Sequence, residues 1–182
     1  MALVIVEGPD GSGKSTLIES LKASFKWAGV FVSAGPKSFE DQAARYKVLC
    51  NLPEQELFLS DRSFLYGEEV YPKIFNRDPK WSVEQLRKMR LDCRHLVIYT
   101  RLEDDAYLSD RMVDGKSHKS AEHMDQVRKS TGILLDAYDD MMVDALVSGV
   151  SVIKYDWENN PLRELIEDIN NWRNFHYGQS IT

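Results

Sequence analysis

Apolar residues fall along this chain in two rhythms. Short unbroken runs occur at Ala2 to Val6, Val30 to Ser33, Leu57 to Ser60, Leu96 to Tyr99 and Val150 to Ile153. Their length suits strands buried on both faces, because a strand with one wet face alternates instead. Between the runs apolar positions recur at helical spacing, predicting helices near 39–51, 64–75, 83–93, 103–112, 120–147 and 161–173. Strands alternating with helices build right-handed βαβ units. The expected fold is therefore α/β, a three-layer sandwich with a five-stranded parallel sheet and helices on both faces. No repeat, low-complexity tract or Pro/Gly/Ser linker divides the chain, so residues 1–182 are expected to form one domain. Ligands of such sheets sit at the carboxyl ends of the strands, so the residues after each run carry the chemistry.

The first run leads into Glu7-Gly8-Pro9-Asp10-Gly11-Ser12-Gly13-Lys14-Ser15-Thr16. Gly8, Gly13, Lys14 and Ser15 fit G-x-x-x-x-G-K-S/T, a loop whose backbone N–H groups, from Gly8 through Gly11, Ser12 and Gly13 to Thr16, wrap a triphosphate. Its Lys14 reaches the β and γ oxygens and its Ser15 hydroxyl holds Mg²⁺. Glycine lets the backbone approach the phosphates and adopt positive φ. Leu17, Ile18, Leu21 and Phe25 then recur at helical spacing. A strand, a glycine loop and a helix N-terminus form the context the motif requires, since the helix end adds partial positive charge to the anion site. ATP and Mg²⁺ are the expected cofactors.

The third run ends in Ser60-Asp61-Arg62-Ser63. Beside a phosphate loop, Asp61 suits Mg²⁺ or a water of its shell and Arg62 suits oxygens gaining charge; the alternative is a surface ion pair or a helix N-cap made by Asp61. Asp10 and Asp61 are read as the acids at strand ends near the phosphates. After the fourth run come Glu103, Asp104 and Asp105, then the polar stretch Arg111-Met112-Val113-Asp114-Gly115-Lys116-Ser117-His118-Lys119. This reads as a lid over about 111–120 that excludes water from ATP, with Arg111 as the transition-state cation and Lys116 and Lys119 behind it. His118 and His123 are expected to face solvent. Tyr155 to Asn160, ahead of Pro161, are candidates to line an adenine pocket.

Composition narrows the classes. A formal charge of -6 argues against an indiscriminate nucleic-acid binder. Arg87, Lys88, Arg90 and Arg94 form one basic cluster, read as a solvated helix face, with contact to a polyanion as the alternative. Cys50 and Cys93 lie in helical segments without a C-x-x-C pair, so ordinary packed thiols are expected. There is no apolar stretch long enough for a membrane span and no signal-peptide pattern, and the expected location is cytoplasmic. No N-K-x-D tetrapeptide reads guanine, and no apolar strand ends in Asp-Glu as in motor ATPases.

Together the pieces resemble the thymidylate kinase group of nucleoside monophosphate kinases, with deoxyribonucleoside kinases close by. The loop Gly8 to Thr16, with Asp10 at its third position, is similar to that group's loop, and Asp61-Arg62 to its Asp-Arg after the third strand. The resemblance implies that Asp10 approaches the acceptor's sugar and that Asp61-Arg62 helps hold magnesium and phosphate. Gly11 stands where some members carry an Arg, and such members place the catalytic Arg in the lid, which supports Arg111. Gly35-Pro36 and Gly67-Glu68 resemble compact phage-encoded members, implying the host cytoplasm. Where the group carries Arg-Glu-Pro after the second strand, this chain has Ala34-Gly35-Pro36-Lys37, with Lys37 as a point-charge substitute. The group's Ser and Ala-Tyr-Gln are likewise replaced by Tyr66, Glu68, Glu69 and Tyr71. The expected reaction is phosphoryl transfer from ATP to a deoxynucleoside monophosphate, a small nucleotide. The alternative acceptor is a hydroxyl of a deoxynucleoside, of a DNA 5′ end or of a hydroxymethylated pyrimidine in DNA. A homodimer is compatible with either.

Overall fold

The computed structural model describes residues 2–32, 38–51, 56–103 and 129–178. Ala34-Gly35-Pro36-Lys37, the predicted lid with Arg111, Lys116 and Lys119, His118, His123, nearly all of the helix predicted at 103–112 and the first part of that at 120–147 lie outside them.

The strands are β1 (Ala2–Glu7), β2 (Gly29–Val32), β3 (Leu57–Asp61), β4 (His95–Thr100) and β5 (Ser151–Tyr155). They form a single parallel sheet in the order β2-β3-β1-β4-β5. The helices among the described residues are α1 (Lys14–Ser24), α2 (Phe39–Cys50), α3 (Phe64–Phe75), α4 (Val83–Asp92), α5 (Thr131–Val147) and α6 (Leu162–Tyr177). The α/β sandwich expected from the two rhythms is the one observed.

Every residue of β1 is buried, and its side chains alternate between two cores. Leu3 and Ile5 join the cluster built with α3, α4 and α5. Val4 and Val6 join the one built with α1 and α6. Both faces being covered, the strand reads as a solid apolar run.

Element boundaries shift for local reasons. β1 extends to Glu7, which stays in register with Tyr99 of β4, so an acid that reads as the end of the apolar run remains in the ladder. β3 likewise takes in Asp61, opposite Val6. Ser63, not Asp61, caps α3, accepting from the Leu65 N–H. α6 runs past its predicted end to Tyr177, where Gly178 at φ 62 closes it in the left-handed conformation.

The basic cluster is not one solvated face. Arg87 pairs with Asp144 across the surface of α4 and α5, at 2.6 Å. Arg90 points inward with 1% of its side chain exposed. Its Nε donates to the Leu65 carbonyl at 2.9 Å, another nitrogen pairs with Glu69, and its Cζ lies 4.9 Å from the Tyr66 ring centroid. A buried guanidinium is tolerated because those partners replace water. Cys93 is a buried thiol at the C-cap of α4, as a packed cysteine should be.

Candidate active site

The site is assembled at the carboxyl end of β1, flanked by β3 and β4. Register sets Asp61 opposite Val6 and Tyr99 opposite Glu7, so the residues that follow those strands surround the glycine loop.

The loop is braced against β4. Gly8 has φ 146, and a β-carbon there would collide with the carbonyl and hydroxyl oxygens of Thr100. The Thr100 hydroxyl donates to the Glu7 carbonyl at 2.9 Å and lies 2.7 Å from the buried Ser12 hydroxyl, which also reaches the Pro9 carbonyl at 2.9 Å. The two hydroxyls carry one proton each for these three contacts, so the Ser12 proton serves either the Pro9 carbonyl or the Thr100 oxygen. Ser12 thus spends its side chain on loop shape, leaving its backbone for an anion. Gly11 at φ 79 and Gly13 at φ 86 complete the curve. Gly13 caps α1 without a side chain, so the first-turn N–H groups of α1 meet no capping oxygen. Ser15 and Thr16 are exposed on that turn.

Lys14 is buried, and its ammonium donates to the Pro9 carbonyl, folded over the loop it belongs to. Burial, reinforced by Arg62, holds its pKa well below the usual lysine value, against the pull of Glu7 and Asp61.

Arg62 is the group that β3 delivers. Its backbone sits at φ 66, a region most side chains avoid. Four contacts hold it there. Its N–H donates to the Val6 carbonyl at 3.0 Å, and its carbonyl accepts from the Ser60 hydroxyl at 2.7 Å. The guanidinium pairs with Asp10 and donates to the Tyr71 hydroxyl at 2.7 Å. Asp10 is thus paired with Arg62, and Arg62 and Asp61 both lie close enough to Lys14 to act on its charge.

Glu7 is the residue that reading missed. It is fully buried below the loop; one carboxylate oxygen accepts from the Ser63 N–H, and the other has no hydrogen-bond partner among the described residues. Burial pushes its carboxyl up to about 7, although Arg62, the Ser63 N–H, Lys14 and the Gly8 N–H all oppose the shift. The available signal was an acid closing an otherwise uniformly apolar strand, immediately before the first loop glycine.

The turn after β5 brings Trp157 beside the loop. A β-carbon on Gly13 would lie 3.1 Å from the indole Cδ1 and Nε1. Asp156, buried, ties this turn together, accepting from the Glu158 N–H at 2.9 Å, the Asn159 side chain at 2.8 Å and the Glu103 N–H at 3.3 Å. Of the predicted adenine-side stretch, Trp157 is thus at the loop, while Tyr155 belongs to the core.

A magnesium-type ion binds through one or two carboxylates plus phosphate oxygens and waters. Ser15 and Asp61, hard oxygen donors flanking the loop, suit that kind of site. Among the described residues no cluster of three or more His, Cys, Asp or Glu side chains is placed to form a protein-only metal cage.

No protein-family model matches the sequence, and no curated protein does. Solved structures do match over nearly the whole chain. The YorR protein of Bacillus subtilis, solved in complex with phosphorylated GDP, is 20% identical, with 98% of this chain and 99% of that one covered at a TM-score of 0.69. Deoxyadenosine kinase from M. mycoides, solved with dCMP and dCDP, is 18% identical over 95% and 98% of the two chains, at 0.58. This chain has the fold of the P-loop kinases. Polyphosphate kinase 2 from Arthrobacter aurescens TC1 shares that fold at 12% identity, over all of this chain and 71% of that one, with a TM-score of 0.66. The P-loop kinase fold accounts for the position of the loop at the tip of the central strand.

Proposed function

We propose that the protein is a kinase that uses ATP and Mg²⁺ to phosphorylate a deoxynucleoside monophosphate. The observation that carries this reading is the Arg62 guanidinium at the edge of the loop, 29% exposed and already holding one carboxylate, that of Asp10. A group that holds a carboxylate in this way has the geometry to hold a phosphate. The fold neighbours, two of them named as kinases, support phosphoryl transfer as the reaction class.

In this reading the loop amides and Lys14 bind the β- and γ-phosphates. Lys14 leaves the Pro9 carbonyl to do so, and its depressed pKa rises as the triphosphate supplies negative charge. Ser15 and Asp61 hold Mg²⁺, which when bound neutralises charge on the phosphate oxygens. Arg62 orients the acceptor phosphate, Asp10 contacts the acceptor sugar, Trp157 borders the donor side, and Arg111 supplies a cation to the transition state. A monophosphate is largely ionised near neutral pH, so this transfer needs cations and no base.

Glu7 favours a second reading. A hydroxyl acceptor, on a deoxynucleoside or on DNA, must lose a proton, and a buried carboxyl with an unpartnered oxygen and a pKa near neutrality can take it. Purified protein given γ-labelled ATP, Mg²⁺ and the acceptors in parallel separates the two. Label in a deoxynucleoside diphosphate supports the first reading. Label on a nucleoside or oligonucleotide, abolished in Glu7→Gln, supports the second. Turnover in Lys14→Ala within a few-fold of wild type overturns both.

A further inference from the structure

At the end of the sheet opposite the loop, where β4 and β5 begin, a surface cavity of about 140 Å³ opens between the end of α4 and the end of α6. We propose that this cavity is a second anion site, built for a phosphate-type oxyanion and separate from the P-loop. Its walls are Arg90, Leu91, Cys93, Arg94, His95, Gly149, Val150, Ser151 and His176, with no Asp or Glu among them.

Charge makes the cavity unusual in a chain of formal charge -6. Arg62, Arg77, Arg87, Arg90, Arg101 and Arg163 each pair with a carboxylate. Arg94 does not: its Cζ lies 5.9 Å from the centroid of the Tyr177 ring, and no described carboxylate lies within ion-pair distance. The helix dipole explains a cation just after the last turn of α4, since the carbonyl end attracts one. It does not explain a second positive neighbour. Arg90 lies in the wall with Nη1 buried and unpartnered, its other contacts going to Leu65 and Glu69. His176 faces Arg94 closely enough for that charge, after burial, to lower its pKa.

Arg94 has no described negative partner, and Arg90, although paired with Glu69, keeps Nη1 without one. Ser151 adds a hydroxyl at the rim, and His95 contributes a neutral ring, its pKa lowered to about 4 by burial. A volume of about 140 Å³ has room for a tetrahedral oxyanion, with any larger remainder left outside. β4 separates the cavity from the loop by its six residues, about 20 Å at the usual rise, so one small ligand cannot serve both.

The test titrates inorganic phosphate, and in a second arm a deoxynucleoside monophosphate, into the full chain while following the His176 ring protons by NMR. His176→Gln identifies the signal. The expected result is a saturating shift with a Kd of about 1 mM, weakened at least about five-fold in Arg94→Ala and recovered in Arg94→Lys. The same shift in Lys14→Ala is expected, which keeps this site distinct from the loop and from the proposed kinase activity. Tighter binding of the nucleotide than of phosphate, lost with Arg94, identifies a nucleotide's phosphate as the source. A shift that never saturates, that survives Arg94→Ala unchanged or that disappears in Lys14→Ala overturns the proposal.

Discussion

Arg62 combines a conformation that costs energy with a position immediately after β3, beside the loop. Backbone and side-chain contacts fix its positive φ and hold the strain in place. Glycine would remove the strain and the guanidinium together, whereas alanine would remove only the guanidinium. Arg62→Gly should therefore be more stable than Arg62→Ala by about 1 kcal/mol, measured by urea unfolding. Both should lose on the order of a hundredfold or more in kcat/KM if Arg62 serves transfer. Glu7 gives a second residue-level expectation, with a definite sign. Its carboxyl, raised to about 7, binds its proton more tightly in the folded chain than in the unfolded one. Its favourable contribution is complete below the unfolded value and is lost as pH rises from there towards about 7. The stability advantage of wild type over Glu7→Gln should accordingly shrink between about pH 5 and about pH 8, and a gap that widens would contradict the assigned environment.

Among the elements, the strands and the loop-to-helix joint were legible because each is a local pattern. A solid apolar run, a glycine loop and a helical repeat lie within the first 25 residues, and nothing distant is needed to interpret them. What stayed hidden depends on partners far along the chain. Arg90 looks like one more exposed cation until α4 is laid on α3, where Glu69 and the Leu65 carbonyl wait. Glu7 looks like a strand terminus until β4 pairs with it. Ser12 reads as a phosphate ligand in the motif, yet its hydroxyl is taken by Thr100 and Pro9. Removing the Arg90 side chain leaves Glu69 without its buried counter-charge. Arg90→Ala should cost about 3–5 kcal/mol in urea unfolding, while Arg87→Ala, whose pair is exposed, should cost under about 1 kcal/mol.

For the molecule as a whole, strand order decides where chemistry can happen. β1 has β3 on one side and β4 on the other, so the crevice at its carboxyl end receives residues from both halves of the sheet. A nucleotide bound there links the loop, Asp61-Arg62 and the turn of Trp157, and should raise the melting temperature in proportion to its saturation. ATP with Mg²⁺ at about a hundred times its Kd should add about 2.7 kcal/mol to wild type and far less to Lys14→Ala, as read by calorimetry. The same strand order bears on how the chain is made. The most apolar strand is β1, and both of its neighbours come much later: Leu3 pairs with Phe58 on one edge and with His95 on the other. During synthesis β1 must wait with two bare edges until β3 and then β4 have emerged, and distant parallel pairings of this kind form slowly. An interrupted chain that stops before β4 would expose an apolar strand edge to its own copies, so aggregation of nascent fragments, rather than unfolding of the finished domain, is where this architecture is most vulnerable.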